Sequence, residues 1–506
     1  MKKLLVRADA STNIGTGHLM RCLALAQAWQ TEGGKATFLS CCDSPALRRR
    51  VTGAGARFIL LPAAHPDPVD RQTTSRLIRK LKPDWLVIDG YHFGPEYQEA
   101  ARAAGVRVLV IDDAAYWPEY HADILLNQNL GAEKLRYRCD RDTRLLLGTR
   151  YVLLRNEFLK WRVWQREVPR EARKVLVTMG GSDPDNVTLK VIRALEKVPL
   201  DRLEGIVVLG ASNLHREVLG AAIRSPEFKV RNHKVRLERN PLNMPELMAW
   251  ADLAVTAGGS TCWELAFMGM PFLVLALAAN QRLTVRALAA RRAAKSLGTS
   301  ERLRTTVVVR ALAPLLRGAR LREALSARGR QLVDGYGADR VLMAMLGARL
   351  RLRSAQTQDA RLLWRWANDA ETRRMSFSSA RIPWQSHLVW LDSKLRDPGC
   401  QLYVGVAADE QPVGQVRAEL KGRHATISVS VDRRLRGKGY GSDLIRKAAE
   451  RLLRDTRVGK IQAFAKPGNR ASLSAFERAG FRMAGRTRVA GQEAIRMEMH
   501  RRLAAA

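Results

Sequence analysis

The chain has 506 residues, of which 46% are hydrophobic and 27% are charged, and these proportions are typical of a folded protein rather than a disordered one. This length exceeds what one ordinary hydrophobic core can organise, which predicts about two to four domains. The formal net charge of +37 is carried mainly by arginine, without a stripe of interleaved aromatic residues, so a specific nucleic-acid binder is disfavoured. We favour a compositional bias toward arginine as the cause; attraction of anionic substrates is the alternative.

No segment predicts targeting, membrane insertion or a metal site. The apolar run after Lys2 and Lys3 is too short for a signal peptide because charge returns at Arg7, and the run at residues 271–279 fits a buried strand. The six cysteines form no Cys-x-x-Cys pair and do not cluster with histidines, which is typical of free thiols in a reducing compartment. We therefore expect a cytoplasmic protein without a bound metal, and the oligomeric state stays open.

The first part of the chain alternates short apolar runs with segments whose apolar residues recur at helical spacing. Buried strands separated by helices imply a parallel, doubly wound sheet. We therefore predict a Rossmann-like domain over residues 1–160. Its predicted strands cover residues 4–8, 36–39, 58–61, 85–88, 106–111 and 124–127.

A second α/β domain is predicted over residues 170–345, after a charged stretch at residues 160–174. It begins with a strand at Val175 and ends in an arginine-rich helical region at residues 312–346. Two similar α/β halves that face each other place a ligand at the carboxyl ends of their strands. The further predicted strands cover residues 205–209, 234–237, 253–257 and 272–277.

The pattern changes after residue 346, and we predict an α+β domain over residues 350–506 with its boundary at residues 346–354. A strand at residues 349–353 is followed by a tryptophan-rich helical stretch and then by successive antiparallel strands. The later predicted elements are strands at residues 403–406, 412–420, 425–431 and 460–465 and a helix at residues 441–453.

The most informative motif joins the first predicted strand to the helix that follows it. Asn13-Ile14-Gly15-Thr16-Gly17-His18 places two glycines and an imidazole at this connection. Gly15 and Gly17 allow backbone angles and a close approach that a Cβ atom would block. The unpaired amides at a helix start attract an anion and favour the neutral form of His18, which a general base needs. The motif predicts hydrolysis or transfer at a phosphorylated sugar; a purely structural His18 is the alternative.

With its surroundings, this motif resembles the opening of the UDP-sugar hydrolases of pseudaminic acid biosynthesis. The resemblance spans about residues 1–345. It implies the two-domain GT-B architecture, metal-independent release of UDP from UDP-2,4-diacetamido-2,4,6-trideoxy-beta-L-altropyranose, and His18 as the base that activates water. The matching segments are Arg7-Ala8-Asp9-Ala10-Ser11, the glycine motif, Arg21-Cys22-Leu23, Asp112-Asp113, Leu126-Asn127-Gln128-Asn129, Gly180-Gly181-Ser182-Asp183-Pro184 with Asn186, and Gly258-Gly259-Ser260-Thr261 with Glu264.

Hydrolysis at an anomeric carbon also needs a stabilised diphosphate and a hold on the nucleoside. The glycine turn after the strand at residues 253–257 opens a helix and can offer backbone amides to the diphosphate. Glu264, one turn further, can accept hydrogen bonds from ribose hydroxyls. Asp183 either lines the site or caps a helix, and Asp112 and Asp113 either line the cleft or begin a turn. The predicted substrate-binding residues are Asp9, Gly15, Gly17, Gly180, Gly181, Ser182, Gly258, Gly259, Ser260, Thr261, Glu264, Asn280 and Gln281.

A second anion cradle of different design lies near the end of the chain. The strand at residues 425–431 runs into a glycine loop without histidine, and a helix follows, so successive amides and the helix dipole can attract one anion. Together with Asn469-x-x-Ser472-x-x-x-Phe476-x-x-x-Gly480-Phe481, the loop resembles the acetyl-coenzyme A signature of the GNAT N-acetyltransferases over about residues 350–500. The resemblance implies acetyl-coenzyme A as cosubstrate, in contact with Arg434, Arg436, Gly437, Lys438, Gly439, Tyr440, Gly441, Ser442, Asn469, Ser472 and Phe476.

One departure from the GNAT pattern concerns Phe476. Many members of the family have a tyrosine here whose hydroxyl protonates the departing thiolate, and phenylalanine cannot do so, which leaves the general acid open. Recognition of the acceptor is predicted around residues 364–377, where Trp364 and Trp366 cannot share one helix face. His387 either deprotonates the acceptor amine or is a surface residue.

Together these motifs predict a bifunctional enzyme of the pseudaminic acid pathway that binds a UDP-amino-sugar and acetyl-coenzyme A. Its last domain would acetylate the 4-amino group of the sugar, and its first two domains would hydrolyse the product to free sugar and UDP. These are consecutive steps, so fusion raises the local concentration of the intermediate. Three alternatives stay open: a GT-B glycosyltransferase with an appended acetyltransferase, one half reduced to a non-catalytic ligand-binding module, or a related nonulosonate route with different sugar stereochemistry.

Overall fold

The computed structural model describes residues 2–11, 14–181, 183–210, 213–226 and 232–501. Asn13 and Ser182, which the sequence singles out, lie outside these residues. The chain divides into two compact units, Met1–Met345 and Leu346–Ala506. Within the described residues, no helix is both long enough and apolar enough to cross a membrane.

The first unit begins with a parallel seven-stranded sheet in the order β3-β2-β1-β4-β5-β6-β7. Its central strands are buried apolar runs, as expected of strands covered by helices on both faces. The strand order reverses between β1 and β4, and ligands of such sheets bind outside the carboxyl ends of the strands at this point. The strands are β1 (Lys3–Ala8), β2 (Lys35–Ser40), β3 (Arg57–Leu60), β4 (Trp85–Asp89), β5 (Arg107–Ile111), β6 (Ile124–Asn127) and β7 (Arg144–Leu147), and the helices are Gly17–Thr31, Pro45–Gly53, Pro68–Leu81, Pro95–Ala103 and Asn156–Leu159.

A second parallel sheet completes this unit, in the order β10-β9-β8-β11-β12-β13. Its order reverses between β8 and β11, whose carboxyl ends lead into Gly180 and Gly258. The strands are β8 (Lys174–Thr178), β9 (Glu204–Leu209), β10 (Lys234–Arg239), β11 (Leu253–Ala257), β12 (Phe272–Ala276) and β13 (Lys295–Thr299). The helices are Val187–Lys197, Arg216–Ala222, Met244–Trp250, Thr261–Phe267, Arg282–Ala290, Thr305–Arg317, Ala319–Leu332 and Gly337–Leu346.

The second unit is built on a mixed sheet in the order β14-β15-β16-β17-β18-β20-β19. Strands β17 and β18 are parallel and pair only through His424–Thr426 and Lys460–Gln462, so the sheet opens beyond Thr426 toward the carboxyl end of β17. The strands are β14 (Leu350–Ser354), β15 (Cys400–Ala407), β16 (Pro412–Lys421), β17 (His424–Val431), β18 (Lys460–Ala465), β19 (Arg482–Val489) and β20 (Gln492–His500), and the helices are Ala360–Ala367, Ala370–Met375, Trp384–Arg396, Tyr440–Asp455 and Arg470–Arg478.

A buried ion pair lies in the middle of the first sheet. Arg7 on β1 and Asp70 on the helix Pro68–Leu81 have no solvent exposure. Arg7 Nε donates to Asp70 Oδ1 at 3.0 Å, and Tyr97 donates its hydroxyl to the same oxygen at 2.8 Å. Burial would lower the pKa of Arg7, but hydrogen bonds to Asp70 and Asp9 raise it, so the guanidinium stays charged inside the core. The carboxyl end of β1 is therefore fixed by paired charges.

Replacing Asp70 with Asn should destabilise β1 by about 3 kcal/mol, because the buried Arg7 guanidinium loses one of its two carboxylates. Hydrogen exchange of the β1 amides in the full-length chain, followed by mass spectrometry, measures this local free energy. Glu99→Gln, an exposed change on the helix Pro95–Ala103, is the matched control and should shift it by less than about 0.5 kcal/mol. Equal protection of β1 in the two variants would show that the ion pair does not hold the strand.

Candidate active sites

His18 lies at the start of the helix Gly17–Thr31 and is held by a buried carboxylate. Its side chain is almost fully buried, and its Nδ1 lies 2.6 Å from Oδ1 of Asp89, the last residue of β4. Burial pushes the pKa of Asp89 upward, but the charges of Arg21 and then His18 hold it well below its usual range. Because an ionised carboxylate only accepts hydrogen bonds, Nδ1 of His18 is the donor, and the lone pair is left on Nε2. The pair thus prepares Nε2 to accept a proton.

Arg21 joins this pair to a second buried carboxylate. Its Nε donates to Asp89 Oδ2 at 2.7 Å, and its Nη1 donates to Asp113 Oδ1 at 2.7 Å. Asp113 also accepts the hydroxyl of Tyr91 at 2.7 Å. The Tyr91 ring meets the His18 ring edge-on, with the two centroids 4.8 Å apart. The imidazole is therefore fixed both by a carboxylate and by an aromatic ring.

The glycine loops of the two halves of this unit meet. A Cβ atom on Gly17 would lie 3.7 Å from Ser260 Oγ, and one on Gly181 would lie 2.9 Å from the backbone nitrogen of Thr16, closer than side chains approach. Asn280, which follows β12, donates its Nδ2–H to the Tyr91 hydroxyl at 2.8 Å. The loops that follow β1 and β4 therefore contact those that follow β8, β11 and β12.

Glu264 lies inside the short helix Thr261–Phe267 with its side chain only 17% exposed. Its Oε1 accepts a hydrogen bond of 2.8 Å from Nη2 of Arg155. Burial raises the pKa of Glu264. The carboxylate predicted to meet ribose hydroxyls is thus already paired with an arginine from the first half of the unit.

Asp9 is buried beside the first glycine motif. The residue is 1% exposed, and its oxygens accept from the amide of Cys41 at 2.7 Å, from Nη2 of Arg7 at 2.9 Å and from Nε2 of His92 at 3.0 Å. Burial would raise its pKa, but hydrogen bonds from His92 and Arg7 lower it to about 2. Neighbouring groups surround the carboxylate, and direct contact between Asp9 and substrate stays a prediction.

Other predicted residues also have local roles in the fold. Asp183 accepts the amides at the start of the helix Val187–Lys197 at 2.9 Å, so of the two roles considered it takes that of the cap. Asp112 accepts the amides of the turn that follows it, whereas Gln281 accepts the amide of Leu277 at 3.0 Å. The predicted residues without such side-chain contacts lie in the loops described above, namely Gly15, Gly180, Gly258, Gly259 and Thr261.

The second cradle lies between β17 and the helix Tyr440–Asp455. Gly437 and Gly439 have φ values of +76° and +85°, which residues with a Cβ atom rarely adopt. Arg434 and Lys438 in the same loop are exposed. The loop follows the carboxyl end of β17, where β17 and β18 separate. Its glycines and positive side chains therefore lie beside the opening of the sheet.

Three of the predicted cosubstrate contacts take part in the packing of the domain. Arg436 donates from Nη1 to Glu371 Oε2 at 2.7 Å, and Asn469 caps its helix by accepting the amide of Ser472 at 3.1 Å. Phe476 is 2% exposed and packs in the core, and its contact with the cosubstrate stays a prediction. Of the remaining predicted contacts, Ser472 lies in the first turn of the helix Arg470–Arg478, and the others line the loop or begin its helix: Arg434, Gly437, Lys438, Gly439, Tyr440, Gly441 and Ser442.

The acceptor side of this domain also differs from the sequence prediction. His387 is 1% exposed, donates its Nε2–H to the carbonyl of Ala360 at 3.0 Å, and has its pKa lowered by burial. It is therefore a core residue and neither of the two roles predicted for it. Of the two tryptophans, Trp366 is buried and donates its Nε1–H to Asp432 Oδ2 at 2.9 Å.

Two polar atoms near the opening of the sheet were missed by sequence reasoning. Ser430 on β17 lies opposite Gln415 on β16. Ser430 Oγ and Gln415 Oε1 are buried, and neither has a hydrogen-bond partner among the described residues. A buried polar atom left unpaired costs about 1–3 kcal/mol, which favours a polar ligand group at this place. Only the pairing of β16 with β17 places these two side chains opposite each other, so the sequence alone does not reveal them.

Comparisons with known proteins bear on both sites. Residues 349–482 match the family model described as Acetyltransferase (GNAT) domain. The C-terminal part of the chain is a GNAT domain. An uncharacterized protein of Methanocaldococcus jannaschii is 29% identical over 280 residues, 54% of this chain, and the match spans only 55% of that relative's length. The UDP-2,4-diacetamido-2,4,6-trideoxy-beta-L-altropyranose hydrolase of Campylobacter jejuni is 24% identical over 289 residues, 56% of this chain and 94% of its own.

The fold of the first unit is also known. The crystal structure of MurG from Acinetobacter baumannii aligns with a TM-score of 0.51 and 17% identity over 69% of this chain and all of MurG, which shows a shared fold. The predicted fold class, a GT-B-like pair of Rossmann-like domains followed by an α+β GNAT domain, is confirmed. The predicted resemblance to the UDP-sugar hydrolases is confirmed as well.

The hydrogen bond between Tyr91 and Asn280 should contribute about 1 kcal/mol of coupling between the two halves of the first unit. A double-mutant cycle of Tyr91→Phe and Asn280→Ala, measured by urea unfolding of the full-length chain, gives this energy. A cycle of Tyr91→Phe with Gln281→Ala is the control and should give no coupling, because Gln281 bonds to Leu277 instead. Additive effects in both cycles would mean that the bond does not join the halves.

Proposed function

We propose that residues 1–345 hydrolyse UDP-2,4-diacetamido-2,4,6-trideoxy-beta-L-altropyranose to the free sugar and UDP, and that the GNAT domain acetylates the 4-amino precursor. The observation that carries the first activity is the His18–Asp89 pair at the start of the helix whose Gly17 lies against the glycine turn at Ser260. The Campylobacter relative, named for this reaction, supports the choice of substrate. The match to the GNAT model supports the second activity.

In the hydrolysis, Nε2 of His18 takes a proton from water while the water oxygen attacks C1 of the sugar. The bond between C1 and the diphosphate oxygen breaks, and its electron pair leaves with UDP. Asp89 stabilises the imidazolium that forms, as the buried aspartate does in other Asp–His pairs. Because the leaving diphosphate is already a stable anion, the reaction needs electrostatic support rather than a strong acid.

Nucleotide binding falls to the second half of the unit. Backbone amides of the turn from Gly258 to Thr261 contact the diphosphate, since small residues let the anion approach the main chain. Glu264 accepts hydrogen bonds from the ribose hydroxyls, with Arg155 holding its carboxylate in place. The bond from Asn280 to Tyr91 then links the half that binds nucleotide to the ring that packs on His18.

In the acetyl transfer, the 4-amino nitrogen attacks the thioester carbonyl of acetyl-coenzyme A. A C–N bond forms and the C–S bond breaks. The proton that the amine nitrogen loses ends on the departing thiolate, which gives an amide and free coenzyme A. The loop with Gly437 and Gly439 holds the pyrophosphate of the cosubstrate. Ser430 and Gln415 offer polar atoms to the sugar, which supports a hydroxylated acceptor.

The two activities belong together because the product of one is the substrate of the other. A fused chain keeps the acetylated UDP-sugar at a higher local concentration than two separate enzymes would. No metal is required for either step as written, since His18 supplies the base and the thioester supplies the activated acyl group. The pair therefore converts a UDP-4-amino-sugar and acetyl-coenzyme A into free diacetamido sugar, UDP and coenzyme A.

In a single vessel containing UDP-4-amino-sugar and acetyl-coenzyme A, the intact chain should release UDP without any added acceptor. His18→Asn should lower UDP release at least about 100-fold, because the base is lost, while coenzyme A release continues. Chromatography of the nucleotides and a thiol assay follow the two products. His121→Asn, which changes a histidine before β6, is the control and should retain both. UDP release that needs a sugar acceptor would instead identify a glycosyltransferase.

Gly437→Val should weaken acetyl-coenzyme A binding at least about 10-fold, because valine at this φ is disfavoured by about 1–2 kcal/mol and the loop must change its path. Calorimetry with acetyl-coenzyme A measures the affinity. Gly422→Val carries a similar backbone penalty, with φ +59° in the turn between β16 and β17, and should bind normally. Hydrolysis of the ready-made diacetamido substrate should be unchanged in both. Normal binding by Gly437→Val would place the cosubstrate elsewhere.

A further inference from the structure

Two Asp–His pairs cross between the neighbouring strands β1 and β4 at the carboxyl edge of the first sheet. β1 and β4 are parallel partners, with Ala8 opposite Asp89. Asp89 ends β4 and holds His18, which follows β1. Asp9 follows β1 and holds His92, which follows β4, with Nε2 and Oδ2 3.0 Å apart. The proposed hydrolysis uses only the first of these two crossed pairs.

The second pair presents its imidazole, and not its carboxylate, to solvent. The side chain of His92 is 25% exposed, whereas that of Asp9 is 1% exposed. Asp9 is fixed from behind by Arg7, with which it shares a hydrogen bond of 2.9 Å. Because the ionised carboxylate accepts from Nε2, Nδ1 of the neutral imidazole carries the lone pair and is a hydrogen-bond acceptor.

The backbone before His92 is shaped to hold this orientation. A Cβ atom on Gly90 would lie 3.0 Å from Cε1 of His92 and 2.8 Å from Cε2 of Phe93. The rings of His92 and Phe93 have centroids 4.1 Å apart. The imidazole is thus positioned by a carboxylate, an aromatic ring and a glycine, which is the support that a binding group needs.

We infer that His92 binds the sugar of the substrate, with its Nδ1 accepting a hydrogen bond from a hydroxyl or amide N–H of the hexose whose C1 lies beside His18. This rests on the proposed hydrolysis. A neutral acceptor is unsuited to the diphosphate, which itself offers only acceptors, but suits the donors of an acetamido sugar. The location agrees, because His92 follows β4 at the switch point, whereas the glycine turn for the diphosphate belongs to the other half.

Asp9 then acts through His92 as a positioning residue. This explains how an acidic residue close to the catalytic loop can matter to a sugar-binding site while its own oxygens are buried. Arg7, which Asp70 holds in place, then has a role beyond stability, since its hydrogen bond helps to keep Asp9 ionised and fixed.

The test compares His92→Phe, which keeps a ring against Phe93, with the control His121→Phe. His121 is also 25% exposed and paired with a carboxylate, Asp140 at 3.0 Å, but it precedes β6 at the opposite edge of the sheet. His92→Phe should lower kcat/KM for the UDP-diacetamido sugar about 10- to 100-fold, the effect of one lost substrate hydrogen bond. Calorimetry should give an unchanged affinity for UDP alone, and His92→Asn, which retains an acceptor near Nδ1, should recover part of the loss.

The outcomes separate the two proposals. If the wild-type chain releases no UDP, the proposed hydrolysis is wrong; the inference is then decided by calorimetry, where His92→Phe must remove the gain in affinity of the UDP-sugar over UDP. If the wild type is active and His92→Phe behaves like His121→Phe, the inference is overturned. Weaker binding of UDP itself by His92→Phe also overturns it, because His92 would then contact the nucleotide.

Discussion

Ionised aspartates buried at the ends of two adjacent strands govern the chemistry of the first unit. Burial alone disfavours the charged form of Asp9 and of Asp89, and each stays ionised because an arginine is buried with it. Arg7 neutralises Asp9, and Arg21 neutralises Asp89. Hydrogen bonds to the paired charges offset the free-energy cost of burying these carboxylates. Each carboxylate in turn fixes the tautomer of the neighbouring histidine.

The same arginines connect the base to the rest of the crevice. Arg21 bridges Asp89 and Asp113, and Tyr91 bridges Asp113 and Asn280, so a continuous series of hydrogen bonds runs from His18 to a loop of the second half. A nucleotide that orders the loop after β12 therefore acts on groups that touch the imidazole. Coupling of this kind needs no large movement, because each contact in the series is a single direct hydrogen bond.

Sequence patterns predicted most strands of each sheet, including the edge strands β3, β10 and β14, and missed β7, β13, β19 and β20. Most residues of β1, β4 and β11 are apolar and buried, whereas the edge strands β7 and β13 are partly exposed, and the β19–β20 hairpin is rich in charged residues. Edge strands need no apolar run because one side faces solvent. The hairpin pairs through backbone groups, which carry no sequence signal of their own.

The glycine motifs and His18 could be found from the sequence because a tight turn demands particular residue types. The partner of His18 could not, because Asp89 is brought to it only by the register of β1 against β4. Asp9 was predicted to contact the substrate because it is close in sequence to the glycine motif. That proximity does not show which way the carboxylate points. Phe476 likewise matches a family signature while its ring belongs to the core.

The two anion cradles use charge in different ways, which gives the large positive charge of the chain a local meaning. In the first unit, Arg7 and Arg21 are paired with carboxylates, so in the proposed complex the fixed dipoles of backbone amides would attract the diphosphate. In the GNAT domain, Arg434 and Lys438 are exposed beside the glycines and attract an anion through solvent. Exposed charges are screened by salt, and buried pairs are screened much less. Ionic strength is therefore expected to act on binding of the proposed cosubstrate at the second cradle more than on the orientation of His18 at the first.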